Sequence, residues 1–387
     1  LGAGLTVYDA LGGFAAAGHR YLRGREAFAE LPALEGRARG AYLFSDAKAD
    51  DCRLTLHVLK KAIQLGGRAA HYAEVRGILK RHGRAVGVRV EDRLRGREIE
   101  IHARQIVVAA GVWTDQLLGE TARRLRPTKG VHLVVPRAKV GNRTAVLIPG
   151  PDGRVVFAIP WGDRVILGTT DTDYTGDLDR PRAEAADIEY LRRRFDESLG
   201  IRIDTADILA TYAGLRPLVT SPSAHPSDVT RDFSISQTQD GVIVVAGGKL
   251  TTFRTMARRI VDQARPDLPG CRTHHLELFA PRSPGPPDLI RAYGSETEFL
   301  LELPDQDPIH ESSPRRRAEI DYCVKAEACV SVADFLVRRT RAVLFDPERG
   351  RLSAEPVARR MAALLGWDGR ETARQIETFE RELELYA

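Results

Sequence analysis

The 387-residue sequence predicts a mixed α/β (α+β) chain with more than one domain, on three observations. Two apolar runs, Ile106–Ala109 and Val242–Ala246, read as buried strands, and each leads through small residues into a helical pattern. Between them lie short β segments at close spacing (VHLVVPR, TAVLIPG, RVVFAIPW, RVILGTTD), joined by Pro, Gly, Asp and Asn as in an antiparallel sheet. Beyond PRSPGPP at 281–287, a linker by composition, the patterns are helical.

The second apolar run carries the densest signal, VIVVAGGKLTTFR at 242–254. Leu250, Phe253, Ala257, Ile260, Val261 and Ala264 recur at helical spacing and predict an amphipathic helix with a buried face. Gly247 and Gly248 let another group approach the backbone. The helix start offers free N–H groups, and Thr251 and Thr252 add hydroxyls, to an electron-rich ligand. An ordinary strand–turn–helix corner has the same pattern. In QIVVAAGVWTDQLL the first run passes through Ala110 and Gly111 to a helix with Trp113 near its start. Ligands of open α/β sheets sit at the carboxyl ends of such strands, and small residues there leave room for a flat ring.

Residues 1–40 read as short helices and loops. Gly2-Ala3-Gly4 is not a dinucleotide fingerprint, because no strand precedes it and the third glycine position is Val7. Asp46, Asp50 and Asp51 precede a helix with a Leu54/Val58/Ala62/Leu65 stripe and a Gly66-Gly67 stop. The acids read as caps and dipole partners, and His57 as a helix-surface histidine. HYAEVRGILK, RAVGVRVED and REIEIHA, broken at His82-Gly83 and Arg95-Gly96, predict a β-meander. Loops of the antiparallel sheet are expected to hold Lys129, His132, Trp161 and the polar run TTDTDY. DILATYAGLRPLV supplies another strand, with Arg216, and TRDFSIS contributes Arg231 before the sheet leads back to Gly247. In the helical region Leu336, Val337, Thr340 and Val343 form one stripe, and its arginines read as solvated charges.

Composition narrows the function classes. With 43% hydrophobic and 29% charged residues the chain is globular, and its net charge of +5 suits an anionic ligand or an acidic membrane surface. No long basic run with interleaved aromatics exists, so nucleic acid is not an expected partner. Four cysteines without CxxC spacing argue against structural zinc or a disulfide framework and for a reducing compartment. No apolar run approaches ~18 residues, so no spanning helix is predicted.

Seven ordered blocks, DDCRLTL, AAGVWTD, RPTKGVHLVVPR, IPWGDRVILGTTDTDYTGD, YAGLRPLV, TRDFSI and AGGKLTTFRTMA, resemble segments of FAD-dependent glycerol-3-phosphate dehydrogenase. The resemblance covers roughly Tyr42 to Ala264 and continues weakly beyond. It implies an incomplete glutathione-reductase-like FAD-binding domain at 1–128 and 241–280, an antiparallel substrate domain at 129–240, and an all-helical domain at 288–387. It further implies FAD as cofactor and oxidation of sn-glycerol 3-phosphate to dihydroxyacetone phosphate by hydride transfer to the flavin. Quinone or another acceptor would take the electrons. The implied location is cytoplasmic, with peripheral contact at the inner face of the membrane and a homodimer as arrangements it allows.

A phosphate monoester carries about two negative charges, and guanidinium forks suit its oxygens. Arg216 and Arg231 match positions that line the family's substrate pocket, and Arg216 is assigned to catalysis as well. Lys249 would touch either phosphate or a flavin carbonyl. His132 is the preferred base, a hydrogen-bonded histidine on an apolar strand being the alternative. Tyr212 is an orienting residue. Ala110, Gly111, Trp113, Gly248, Lys249, Leu250 and Thr251 are assigned to the flavin, and no metal is expected.

Two departures bear on this. The family's opening strand with GxGxxG, followed by an Arg-containing substrate segment, has no counterpart in the sequence; HRYL at 19–22 shares letters with that segment but stands out of order. The expectation is a truncated piece of the enzyme, since a chain lacking that cradle would hold FAD weakly. Cys52 stands where the family has alanine, a small replacement. Competing readings are a catalytically silent remnant that binds organic phosphate and a related amine- or amino-acid-oxidising flavoenzyme. The Arg216/Arg231 pair and KGVHLVV speak against the latter.

Overall fold

Asp50 starts the first long helix, Asp51–Gln64, by accepting the Arg53 amide at 3.0 Å, and Gly66 at φ 91° ends it, as the sequence predicts. The computed structural model describes residues 2–13, 18–119, 125–150, 154–220, 233–280 and 284–387. Before this helix, β1 (Arg20–Arg23) and β2 (Gly40–Leu43) pair antiparallel. After it comes the meander β3 (Ala73–Arg81), β4 (Arg84–Asp92) and β5 (Arg97–His102), in that spatial order. His82 and Gly83 both take positive φ in its first turn, as a tight two-residue hairpin requires. A short β6 (Val107–Val108) follows.

The apolar stripe of the long helix is at most partly covered, and Leu65 is exposed; the one fully buried residue is Arg53, 3% exposed. His57 is half-buried, its ring 5.1 Å from that of Phe279, rather than at the surface. The helix is thus held by a buried ion pair instead of an apolar seam. Arg53 Nη1 lies 2.6 Å from Glu327 of the C-terminal region, and Arg53 Nε and Nη2 donate to the Arg339 carbonyl.

A six-stranded antiparallel sheet comprises β7 (Leu125–Pro136), β8 (Val146–Pro149), β9 (Val155–Trp161), β10 (Arg164–Gly168), β11 (Thr172–Asp173) and β12 (Ala210–Val219). β12 pairs with β7 from Leu125 to Val134, while β10 and β11 pair with successive stretches of its other edge. Strand periodicity sends alternate residues of β7 to different cores. Val131, Leu133 and Val135 pack with Leu191, Phe195 and Leu199 of the helix Ala185–Leu199. Val134, with Ala210 across from it, packs instead into the helical C-terminal core.

The remaining strands, β13 (Phe233–Gln237) and β14 (Ile243–Gly247), form a separate sheet: β14 pairs antiparallel with β13 and parallel with β6. This shifts the expected divisions. The antiparallel sheet starts at Leu125 rather than 129, and Phe233–Gln237 leaves it to cover one edge of β14. Leu31, Ala33 and Leu34 in turn pack into the core of the antiparallel sheet. The helix Phe253–Ala264 forms where its periodicity places it, yet none of its residues is buried and Val261 is 49% exposed. Among the described elements β14 and the turn Leu250–Thr252 are its neighbours.

From Pro287 onward the chain is helical around Tyr293, Tyr322, Phe335 and Phe379. Leu336, Val337, Thr340 and Val343 are buried as expected. Its arginines are not all solvated: Arg339 is buried and donates to the Glu327 carbonyl at 2.8 Å, and Arg341 reaches back to Asp50 and Asp51. No described helix is long and apolar enough to cross a membrane.

Candidate active site

His132 and Lys129 do not lie in loops. Both are inside β7, and their spacing sends them to opposite faces. Lys129 points at the Ala185–Leu199 helix, with Nζ 2.8 Å from Asp187 and 3.3 Å from Glu184. Burial alone would lower its pKa, but the Asp187 and Glu184 carboxylates together outweigh that and raise it. Lys129 is a brace between sheet and helix.

His132 faces the other way. Its ring stacks on Tyr212, which stands opposite it on β12, with centroids 4.6 Å apart and planes 8° apart. Two residues along β12 is Gly214, opposite Gly130, and two further is Arg216, opposite Thr128. Tyr212, Arg216 and His132 therefore share a face, with Gly130 as the gap across which the guanidinium lies. A Cβ at Gly130 would meet Arg216 Nη2 at 2.6 Å.

Arg216 is fixed from the opposite side. Nη1 donates to Asp171 Oδ1 at 3.1 Å and to the Thr170 carbonyl at 3.4 Å; Nη2 donates to Thr169 Oγ1 and the same carbonyl, both at 3.4 Å. Burial, with the Arg216 charge added, lowers the His132 pKa to about 4. The imidazole is thus neutral at physiological pH, for a reason the sequence did not show. Its Nδ1 is buried without a hydrogen-bond partner. Burial also raises the Tyr212 hydroxyl pKa.

Gly168, paired with His132, keeps this stack in place: a Cβ there would meet His132 Cδ2 at 2.2 Å. Gly168→Ala is expected to displace the imidazole and cost about 1–3 kcal/mol by overpacking. Thermal denaturation of the variant reads the stability loss, and near-wild-type melting would refute it.

The two predicted strand-to-helix corners come together. β6 and β14 are parallel neighbours, so Ala110-Gly111 and Gly247-Gly248 follow adjacent strand ends. β12, the strand that carries Tyr212 and Arg216, packs against both β14 and the turn Gly111–Trp113 and so adjoins this crevice. Gly111, Gly247 and Gly248 have φ of 55°, 76° and 103°, and no atom lies within 4 Å of where a Gly111 Cβ would sit. Trp113 is 42% exposed, with its indole donating to Asp179 at 2.8 Å, and Leu250 and Thr251 are exposed on the other corner. Met256 and Phe233 crowd the place of a Gly248 Cβ, so the open part of the ledge is at Gly111, where backbone flanked by apolar side chains fits a flat ring such as that of FAD. Lys249 is exposed at the start of the Leu250–Thr252 turn, and its carbonyl accepts the Thr252 amide at 3.1 Å. Arg231 lies outside the described residues.

Sequence reasoning passed over Asp171, Gly130 and Gly168. Their signal was present, as a polar TTD run directly after an apolar strand and as a glycine inside KGVHLVV, but only register shows which face each serves. Asp50, Asp51 and Cys52 are the one described group close enough to hold a metal, and Arg341 already pairs with both acids.

Comparison with known proteins places the chain in a family. Residues 5–263 match the family model for FAD dependent oxidoreductase, and 286–372 match the C-terminal domain of alpha-glycerophosphate oxidase. The aerobic glycerol-3-phosphate dehydrogenase of Bacillus subtilis (strain 168) is 31% identical, over 98% of this chain and 76% of its own. The glycerol-3-phosphate dehydrogenase of Mycobacterium leprae (strain TN) is 32% identical, over 99% and 71%. Among solved structures, the glycerol-3-phosphate dehydrogenase from Bacillus halodurans complexed with FAD aligns with a TM-score of 0.78 at 29% identity, covering 94% of this chain and 79% of that one.

Proposed function

The chain belongs to the FAD-dependent oxidoreductases that carry the C-terminal domain of alpha-glycerophosphate oxidase, and from that premise we propose that it oxidises sn-glycerol 3-phosphate to dihydroxyacetone phosphate. The observation that carries this reading is a neutral, buried imidazole beside a fixed guanidinium, on a sheet whose strand β12 packs against β14 and the Gly111–Trp113 turn. When bound, FAD supplies the two-electron oxidant that takes the hydrogen from C2.

This chain's residues bind, orient and remove a proton. Arg216 offers a cation to the phosphate, with Arg231 and Lys249 as further donors. His132 accepts the C2 hydroxyl proton on its unpartnered Nδ1, in the tautomer that carries the ring proton on Nε2, and its low pKa keeps the imidazole neutral at neutral pH. Tyr212 holds the ring plane by stacking. Ala110, Gly111, Trp113, Gly248, Lys249, Leu250 and Thr251 form the ledge against which FAD rests. The acceptor for the electrons is proposed to be a quinone, with peripheral membrane contact on the cytoplasmic side.

Anaerobic addition of sn-glycerol 3-phosphate to the FAD-loaded protein is expected to bleach the flavin absorbance and release dihydroxyacetone phosphate. Glycerol at the same concentration should leave the spectrum unchanged. Bleaching by neither, or equally by both, rejects the reading. Reoxidation by a soluble quinone against dioxygen then separates the acceptors. Arg216→Ala is expected to raise KM for glycerol 3-phosphate about 10- to 150-fold, the loss of a charge-assisted contact worth ~1.5–3 kcal/mol. An unchanged KM would remove Arg216 from the site.

A further inference from the structure

The partner strands of β7 do not run on without a break. Gly168 of β10 pairs with His132, and Thr172 of β11 pairs with Lys129. Thr169, Thr170 and Asp171 therefore face only Gly130 and Val131, one residue more than the ladder can take. This is a β-bulge, and bulges re-aim side chains. Thr170 closes it. Its Oγ1 accepts the Val131 amide at 3.0 Å and donates to the Lys129 carbonyl at 3.4 Å, replacing the lost ladder bonds.

The extra residue sends Asp171 to the face opposite the one regular alternation would give it. There its carboxylate, 9% exposed, meets Arg216. Four hydrogen bonds from the Arg216 terminal nitrogens go to this bulge, to a hydroxyl, a carbonyl and a carboxylate. Gly130 leaves the space across which the guanidinium lies. Arginine side chains lose rotamer freedom when they bind, and a guanidinium already fixed loses less.

We infer that Asp171, set by the Thr169–Asp171 bulge, is a positioning residue that holds the Arg216 guanidinium ready for an anionic substrate head group. This rests on the proposed reading of Arg216 as the phosphate-binding cation. Asp171 acts on the head group through Arg216 and not by direct contact.

A double-mutant cycle tests it on the FAD-loaded protein, with steady-state kinetics and calorimetric binding of glycerol 3-phosphate. Asp171→Asn, which keeps shape and removes charge, is expected to raise KM and weaken binding about tenfold, with kcat within about twofold. On an Arg216→Ala background the same change should alter neither by more than about twofold. Asp171→Glu should recover part of the loss, and it keeps the test alive should Asp171→Asn fold poorly. An unchanged KM with a lowered melting temperature makes Asp171 a brace only and overturns the inference. A lower KM also overturns it, since Asp171 would then compete with the phosphate. Additive effects in the cycle do the same. Failure of the wild-type protein to bind or oxidise glycerol 3-phosphate would instead reject the functional reading itself.

Discussion

His132→Asn is expected to lower turnover with glycerol 3-phosphate by ~10²–10⁴-fold, the usual contribution of a placed general base, while FAD stays bound. Asparagine keeps a polar planar group in the space beside Tyr212 but has no basic nitrogen. Rapid-mixing measurement of anaerobic flavin reduction isolates the step, and full activity would clear His132 of the role. The pH dependence carries a second signature. Burial and Arg216 place the imidazole at about 4, so the acid limb of kcat/KM attributable to it should lie near 4, not near the usual histidine value. Stability follows the same sign. Between pH ~6.5 and about 4 the unfolded chain takes up a proton at this position and the folded chain does not. Its contribution is whole above the unfolded value and is lost as pH falls through the folded one. His132→Asn should flatten that stretch of the stability curve.

Arg53→Met is expected to destabilise the protein by about 3–5 kcal/mol, because it leaves Glu327 charged and buried. Arg53 and Glu327 are 2.6 Å apart with side chains 3% and 0% exposed, and Arg53 also lies over the Tyr293 ring at 4.3 Å. Urea denaturation measures the loss. Restoring much of it with Arg53→Met/Glu327→Leu would attribute the cost to the orphaned charge, since an apolar pair avoids the desolvation that a buried ion pair must offset. A single variant as stable as wild type would show that Arg339, whose Nε lies 4.0 Å from Glu327, suffices alone.

Both variants touch groups whose surroundings come from distant parts of the chain, which is where sequence reading stops. Asp50 as a cap, His82-Gly83 as a turn and Leu336 and Val343 as core were legible because each depends on neighbours within a few residues. The stripe on the helix Asp51–Gln64 is left partly uncovered, since periodicity reports an apolar face and not what covers it. Lys129 and His132 are alike in the sequence, both expected in loops of the sheet. Register alone made one a brace and the other the candidate base.

What the sequence determined by itself was the inventory: two strand-to-helix corners, an antiparallel sheet, a helical C-terminal region, and ordered blocks that resemble a flavoenzyme family. Local propensity and short-range patterning suffice for these. Tertiary structure decided the rest: which corners adjoin, which face Arg216 and His132 share, and that the imidazole is neutral. Burial and pairing between residues far apart in the chain set those properties, and no window of the sequence contains both partners.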